Sequence, residues 1–165
     1  MIPQYYRDFL IRNWQESDRT LAAEIIKSVL QEYGLNWEPK GADRDVLQVE
    51  EYYLARGGEF WVIEYQDKLV GTGAYYPILR GEKAVEIRKM YLLESVRGFG
   101  LGKHLLQQLE LAIASRGFQQ IWIETASVLT QAVKLYENNG YKIATGVETP
   151  RCDLVYVKLV ESHSD

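Results

Sequence analysis

Arg97-Gly98-Phe99-Gly100-Leu101-Gly102 stands between two segments of different periodicity. Before it, residues 85–93 read as a strand. After it, Leu101, Leu105, Leu106, Leu109, Ala112 and Ile113 recur on one face of a helix. A strand that turns through glycines straight into a helix leaves the first helical N–H groups without intrahelical acceptors. Gly98, Gly100 and Gly102 have no side chains, so a ligand can approach that backbone closely. The helix dipole makes this end positive, and Arg97 and Lys103 add charge beside it. Such a turn suits a phosphate or pyrophosphate, the alternative being a glycine-rich helix entry without a ligand. Two other phosphate motifs fail. A Walker A loop needs glycine where Arg97 stands and Ser or Thr where His104 stands. A dinucleotide fingerprint starting at Gly98 needs glycine where Lys103 stands.

Outward from this turn, the chain reads as alternating strands and helices. Phe9-Leu10-Ile11 is the first strand. Ser17 or Asp18 is placed to cap a helix whose stripe is Leu21, Ile25, Ile26, Val29, Leu30 and Tyr33, ended by Gly34. Residues 36–43 hold Pro39 and Gly41 and read as a loop. A second helix is expected over 45–56, stopped by Gly57-Gly58. Strands over 60–63 and 69–79 join through Gln66-Asp67-Lys68, and Gly81-Glu82 turns into the strand of 85–93. Beyond the long helix, closed by Gly117, Ile121-Trp122-Ile123 is a short buried strand. Leu129, Ala132, Val133 and Tyr136 share the face of a further helix, closed by Asn139-Gly140. Residues 141–144 and 153–159 are the last strands, and 161–165 form a polar tail. Strands joined by short turns pair antiparallel, whereas the strand–helix–strand crossover requires a parallel pair. The expectation is one α/β domain over residues 1–160: a mixed, mainly antiparallel twisted sheet of about 6–7 strands with helices on both faces.

Composition narrows the classes. A 165-residue chain with 47% hydrophobic residues, 12% aromatics and 25% charged residues is an ordinary globular domain. A net charge of −4 argues against a partner gripped by bulk electrostatics, such as nucleic acid. The single cysteine, Cys152, excludes an intrachain disulfide and suits a reducing compartment. The N-terminus has no basic segment followed by an apolar stretch, and no apolar run reaches the length of a membrane span. The expected location is therefore the cytoplasm, without membrane contact.

The turn resembles the Arg/Gln-x-x-Gly-x-Gly/Ala motif of the GNAT N-acetyltransferase superfamily. Lys89-Met90-Tyr91-Leu92 is similar to the end of that family's central strand. Ala132-Val133-Lys134-Leu135-Tyr136-Glu137-Asn138-Asn139-Gly140-Tyr141 resembles its helix ending in Leu-Tyr-x-x-x-Gly-Phe/Tyr. The resemblance is clear over residues 85–141, and the element order agrees over the rest.

It implies an enzyme that moves acetyl from acetyl-CoA, without a metal, to a primary amine by direct attack in a ternary complex. The coenzyme would lie where the strands ending near Leu92 and Glu124 splay apart. Backbone groups of Met90, Tyr91 and Leu92 would bond the pantetheine arm and the acetyl carbonyl. The pyrophosphate would lie on Arg97, Gly98, Phe99, Gly100, Leu101, Gly102 and Lys103. The Leu92 N–H would meet the developing oxyanion, and Tyr136 would serve the leaving thiolate.

A lysine-like amine has a pKa near 10.4, so about one molecule in a thousand or fewer is neutral at pH 7 and a base is needed. Glu86 and Glu124 both occupy positions where family members carry that base, and each can equally be a strand charge. Glu86 is preferred. Tyr136 can also be simple packing, since it lies on an apolar stripe. Many relatives carry Asn where Leu129 stands, leaving Thr130 as a substitute contact. Tyr33, Trp37, Tyr52, Tyr53, Tyr75 and Tyr76 could line an acceptor slot, and Asp153 could meet a cationic amine. Cys152 reads as a structural thiol, since neither His104 nor His163 is placed beside it by sequence. Relatives often form homodimers. The alternative to an enzyme is a non-catalytic CoA-binding module or sensor. The acceptor itself is not encoded in any motif.

Overall fold

A computed structural model describes residues 3–161, so the tail at 162–165, including His163, lies outside the described residues. The strands are β1 (Gln4–Tyr6), β2 (Phe9–Asn13), β3 (Glu59–Tyr65), β4 (Lys68–Ile78), β5 (Ala84–Leu92), β6 (Gln120–Thr125), β7 (Lys142–Ile143) and β8 (Leu154–Leu159). The helices are α1 (Arg19–Glu32), α2 (Arg44–Leu47), α3 (Leu101–Ser115) and α4 (Thr130–Asn138). They build one 8-stranded sheet in the order β1-β2-β3-β4-β5-β6-β8-β7. Each neighbouring pair is antiparallel except β5 with β6. The crossover through α3 thus supplies the parallel pair that the sequence requires. The strand count exceeds the expected 6–7 because β1 is short and polar, with no apolar alternation to announce it.

Alternation along the strands divides the core into two layers. Phe9, Ile11, Trp61, Ile63, Val85, Ile87, Ile121 and Ile123 pack against Leu105, Leu106, Leu109 and Ile113 of α3 and Tyr136 of α4. Phe60, Val62 and Ala74 face the other way, against Ala22, Ala23, Ile26 and Leu30 of α1 and against Val46, Val49 and Tyr53. Helices therefore cover both faces.

Two local expectations change. Asp18 takes the position before α1 but makes no side-chain cap. Its carboxylate instead accepts the Gln15 N–H at 2.7 Å and both prongs of Arg12 at 2.8 and 2.9 Å. Charge pairing with a half-buried guanidinium outweighs a cap worth about 1 kcal/mol. The helix expected over 45–56 breaks at Gln48 into α2 and a π-helical turn, Glu50–Leu54. The break lets the Tyr53 hydroxyl reach back to the Asp45 carboxylate. On an unbroken helix eight residues span about 12 Å along the axis. Periodicity could not report that polar contact.

Candidate active site

Strands β5 and β6 pair only at Ala84↔Gln120, Val85↔Ile121 and Glu86↔Trp122. Both strands continue, to Leu92 and Thr125, but no longer face each other. On its other side β5 carries a bulge. Thr72 pairs with Tyr91 and Ala74 with Arg88, so β5 holds one extra residue there. Lys89 adopts φ +53°, and the Thr72 hydroxyl donates to its carbonyl at 2.7 Å. A bulge bends its strand and increases the local twist, which turns the end of β5 away from β6. The gap is a cleft of about 340 Å³. Met90, Tyr91 and Leu92 form one wall, and 123–126 the other. Leu135 and Tyr136 line it from α4, and Gly98 with 100–103 stands at the mouth.

At the mouth, Gly98 and Gly100 adopt φ +87° and +80°, values that favour glycine. Among the described residues, no N–H from Gly98 to Lys103 donates to a protein acceptor. The 15-residue helix α3 starts here, so unsatisfied donors and the positive dipole end coincide. Chain segments missed by sequence reasoning fix this turn. Tyr6 of β1 donates its hydroxyl to the Phe99 carbonyl at 2.9 Å and stacks on His104 at 4.3 Å. A Cβ added at Gly100 would lie 2.7 Å from that hydroxyl. Arg97 does not stand free. Its guanidinium grips Glu32 at 2.6 and 2.8 Å and donates to the Leu92 carbonyl at 2.8 and 3.1 Å. Phe99 and Thr130 do not line the cleft. The Phe99 ring instead leans on Phe9 at 6.3 Å.

The two carboxylates differ in environment. Glu86, at the last paired position of the fork, is 8% exposed. Its oxygens make only long contacts, 3.4 Å to Arg88 and 3.5 Å to the Tyr76 hydroxyl. Burial pushes its pKa above the ordinary glutamate range, against the pull of Arg88, and the charges of Glu124 and Glu148 push the same way. Glu124 lines the cleft, yet its oxygens are occupied. One accepts the N–H groups of Glu148 and Thr149 at 2.8 and 2.9 Å, and the other meets Arg80 at 3.2 Å. It braces the 145–149 loop. Tyr136 is buried on the cleft wall, and its hydroxyl has no hydrogen-bond partner among the described residues. Burial raises its pKa, so the hydroxyl keeps its proton at neutral pH.

Cys152 also borders the cleft, and burial pushes its thiol up to about 11, the reverse of what a nucleophile needs. Asp153 lies away from it, holding the Ser127 N–H and hydroxyl at 2.7 and 2.6 Å. The six aromatics considered for an acceptor slot separate. Tyr52, Tyr53 and Tyr76 line a second cavity of about 420 Å³, whereas Tyr33 borders the cleft. Trp37 packs beside the α1 layer, and Tyr75 faces α3, between Glu59 and Arg116. Arg88 lines both cavities and so stands between them. Sequence reading missed it because an arginine alternating along a strand looks solvated.

Residues 22–141 match the family model described as "Acetyltransferase (GNAT) family". The chain is 33% identical over 137 residues to the N-acetyltransferase YjgM of Escherichia coli (strain K12), covering 81% of each protein. It also matches several animal N-acetyltransferases, spanning 38–53% of their length. Its fold superimposes on a GNAT-family acetyltransferase of Staphylococcus aureus Mu50 with a TM-score of 0.86 at 20% identity, covering 93% of this chain and 99% of that one. It superimposes on yncA of Salmonella typhimurium, solved with its cofactor acetyl-CoA, with a TM-score of 0.72 at 19% identity, covering 95% and 96%.

Proposed function

The chain belongs to the GNAT acetyltransferase family and is an acetyl-CoA-dependent acyltransferase, and on that premise we propose that it transfers acetyl directly to a primary amine in a ternary complex. One observation carries the reading: the forked strands open a cleft with a turn of unsatisfied N–H donors at its mouth, and the last residue paired at the fork is Glu86, a buried, weakly bonded carboxylate that does not itself line the cleft. The residues present fit acetyl-CoA, the donors of Gly98 to Lys103 suiting its pyrophosphate and the wall of Met90, Tyr91 and Leu92 its extended arm.

In this reading Glu86 is the base. Its environment opposes charge, so it takes a proton more readily than an ordinary glutamate. As the new N–C bond forms, the thioester C–S bond breaks. One amine proton passes to Glu86, the thiolate takes a proton from Tyr136, and release of the Glu86 proton to solvent with reprotonation of Tyr136 from solvent resets both groups. The Leu92 N–H faces the charge that develops on the carbonyl oxygen. Glu124 belongs to the scaffold in this reading, because both of its oxygens are already taken, by two N–H groups and an arginine. The single cysteine supports a reducing, cytoplasmic setting. No helix among the described residues is long and apolar enough to cross a membrane.

Calorimetry with acetyl-CoA, followed by CoA-thiol release across a panel of amines, tests this. Micromolar to millimolar binding with turnover of at least one amine is expected. Absence of acetyl-CoA binding at millimolar ligand removes the basis of the reading.

A further inference from the structure

The cavity that shares Arg88 with the cleft has a charge pattern that goes beyond a generic amine site. Its depth is set by Asp45, 5% exposed, whose Oδ2 takes the Tyr53 hydroxyl. Its Oδ1 receives no hydrogen bond among the described residues, with the Lys89 ammonium 3.5 Å away. A buried carboxylate oxygen left without a donor is costly, and a ligand donor would relieve it. Toward solvent the wall is aromatic, from Tyr52 and Tyr76. At the rim Arg56 lies over both rings, 5.1 and 5.7 Å from their centroids. It has no carboxylate partner among the described residues. Two ring contacts restrain its guanidinium, so the rim offers a positioned cation with its donors unspent.

A polyamine would meet Arg56 and Arg88 and gain no partner for either. A plain monoamine would leave Arg56 unused. Glu38 and Glu148 share the lining, so the cavity holds both signs. A ligand that carries both signs matches it best. The volume of about 420 Å³ suits a small molecule.

We propose that the acceptor is a small amino acid-type zwitterion, its amine drawn inward to Asp45 and its carboxylate held at the rim by Arg56. The proposal rests on the acyl-transfer reading above. The products are then the N-acetyl amino acid and CoA, with the proton transfers already given.

The test offers amino acids in three matched forms: the free carboxylate, the methyl ester and the decarboxylated amine. CoA-thiol release is followed, and acetyl-CoA binding is measured separately by calorimetry. The free carboxylate is expected to exceed both other forms at least ten-fold in kcat/KM. Arg56→Ala should collapse that preference mainly through KM, and Arg56→Lys should restore part of it. Equal or better turnover of the ester or the decarboxylated amine overturns the proposal. So does an Arg56→Ala variant that retains the preference. Binding of acetyl-CoA without turnover of any amino acid overturns the acceptor assignment and leaves the coenzyme reading standing. Failure to bind acetyl-CoA overturns both.

Discussion

Arg151 forks onto Asp43, with its two terminal nitrogens 2.6 and 2.9 Å from the carboxylate oxygens, across 108 residues of chain. Asp43 is wholly buried and also takes the Lys89 ammonium at 2.8 Å. One carboxylate therefore ties the loop before α2, the segment before β8 and the bulge of β5. Those three segments border the cleft and the second cavity.

Removing that carboxylate should loosen the assembly, since Arg151 and Lys89 lose their shortest ion pairs and keep those of 3.5 Å to Glu38 and Asp45. Asp43→Ala is expected to cost about 3–5 kcal/mol in urea denaturation, the range for breaking one side of a buried pair. The charge also makes stability pH-dependent. Burial alone would raise the Asp43 pKa, but Arg151, Lys89 and the Glu38 N–H hold it at about 2. The folded value lies below the unfolded value of about 3.9, so this stabilisation is present above that pH and is lost as pH falls toward 2. Thermal melts between pH 5 and 2 should show a shallower decline in Asp43→Asn than in the unsubstituted protein.

Glu86→Gln separates an enzyme from a CoA-binding module. The variant is expected to lose about 10²–10⁴ in kcat while keeping its acetyl-CoA affinity. The base must be ionised and its pKa is raised, so kcat/KM should fall with decreasing pH at a point above the ordinary glutamate range. That limb should vanish in the variant. An unchanged rate would transfer the role elsewhere.

Glu124→Ala should behave differently. It leaves two loop N–H groups and Arg80 without their acceptor. These groups are exposed or half-buried, so each lost hydrogen bond costs about 0.5–1.5 kcal/mol and the loss should be seen first in Tm. Activity is expected to fall with the fraction folded, without a displaced pH profile.

Tyr136→Phe removes a hydroxyl that bonds nothing among the described residues, so stability should change by less than about 1 kcal/mol. A donor to the leaving thiolate contributes about 10²-fold or more, so kcat should drop by that amount at nearly constant KM. Replacement without effect on kcat would reduce Tyr136 to packing.

Gly100→Ala places a side chain at φ +80° and 2.7 Å from the Tyr6 hydroxyl. The left-handed backbone costs about 1–2 kcal/mol for a residue other than glycine. Calorimetry should show weaker acetyl-CoA binding as the turn is displaced. Adding Tyr6→Phe removes the hydroxyl in the way and should recover part of the stability, leaving the backbone cost.

The sequence alone carried the strand–turn–helix unit, the two core layers and the parallel pair. These follow from side-chain alternation and from glycines at fixed spacing, both local properties. The family resemblance nominated Glu86, Glu124 and Tyr136. The fold decided their difference, because the number of donors around a carboxylate depends on loops distant in sequence: Arg80 and the N–H groups of Glu148 and Thr149 reach Glu124, but not Glu86. Lys89 at the bulge, Asp43 beneath it, Tyr6 over Gly100 and Arg88 between two cavities belong to the same class. Each is polar and aperiodic, and its energy comes from partners that meet only when the sheet closes against its helices. Periodicity encodes burial, which is a property of one residue; charge pairing belongs to two, and only the tertiary structure brings the second one into place.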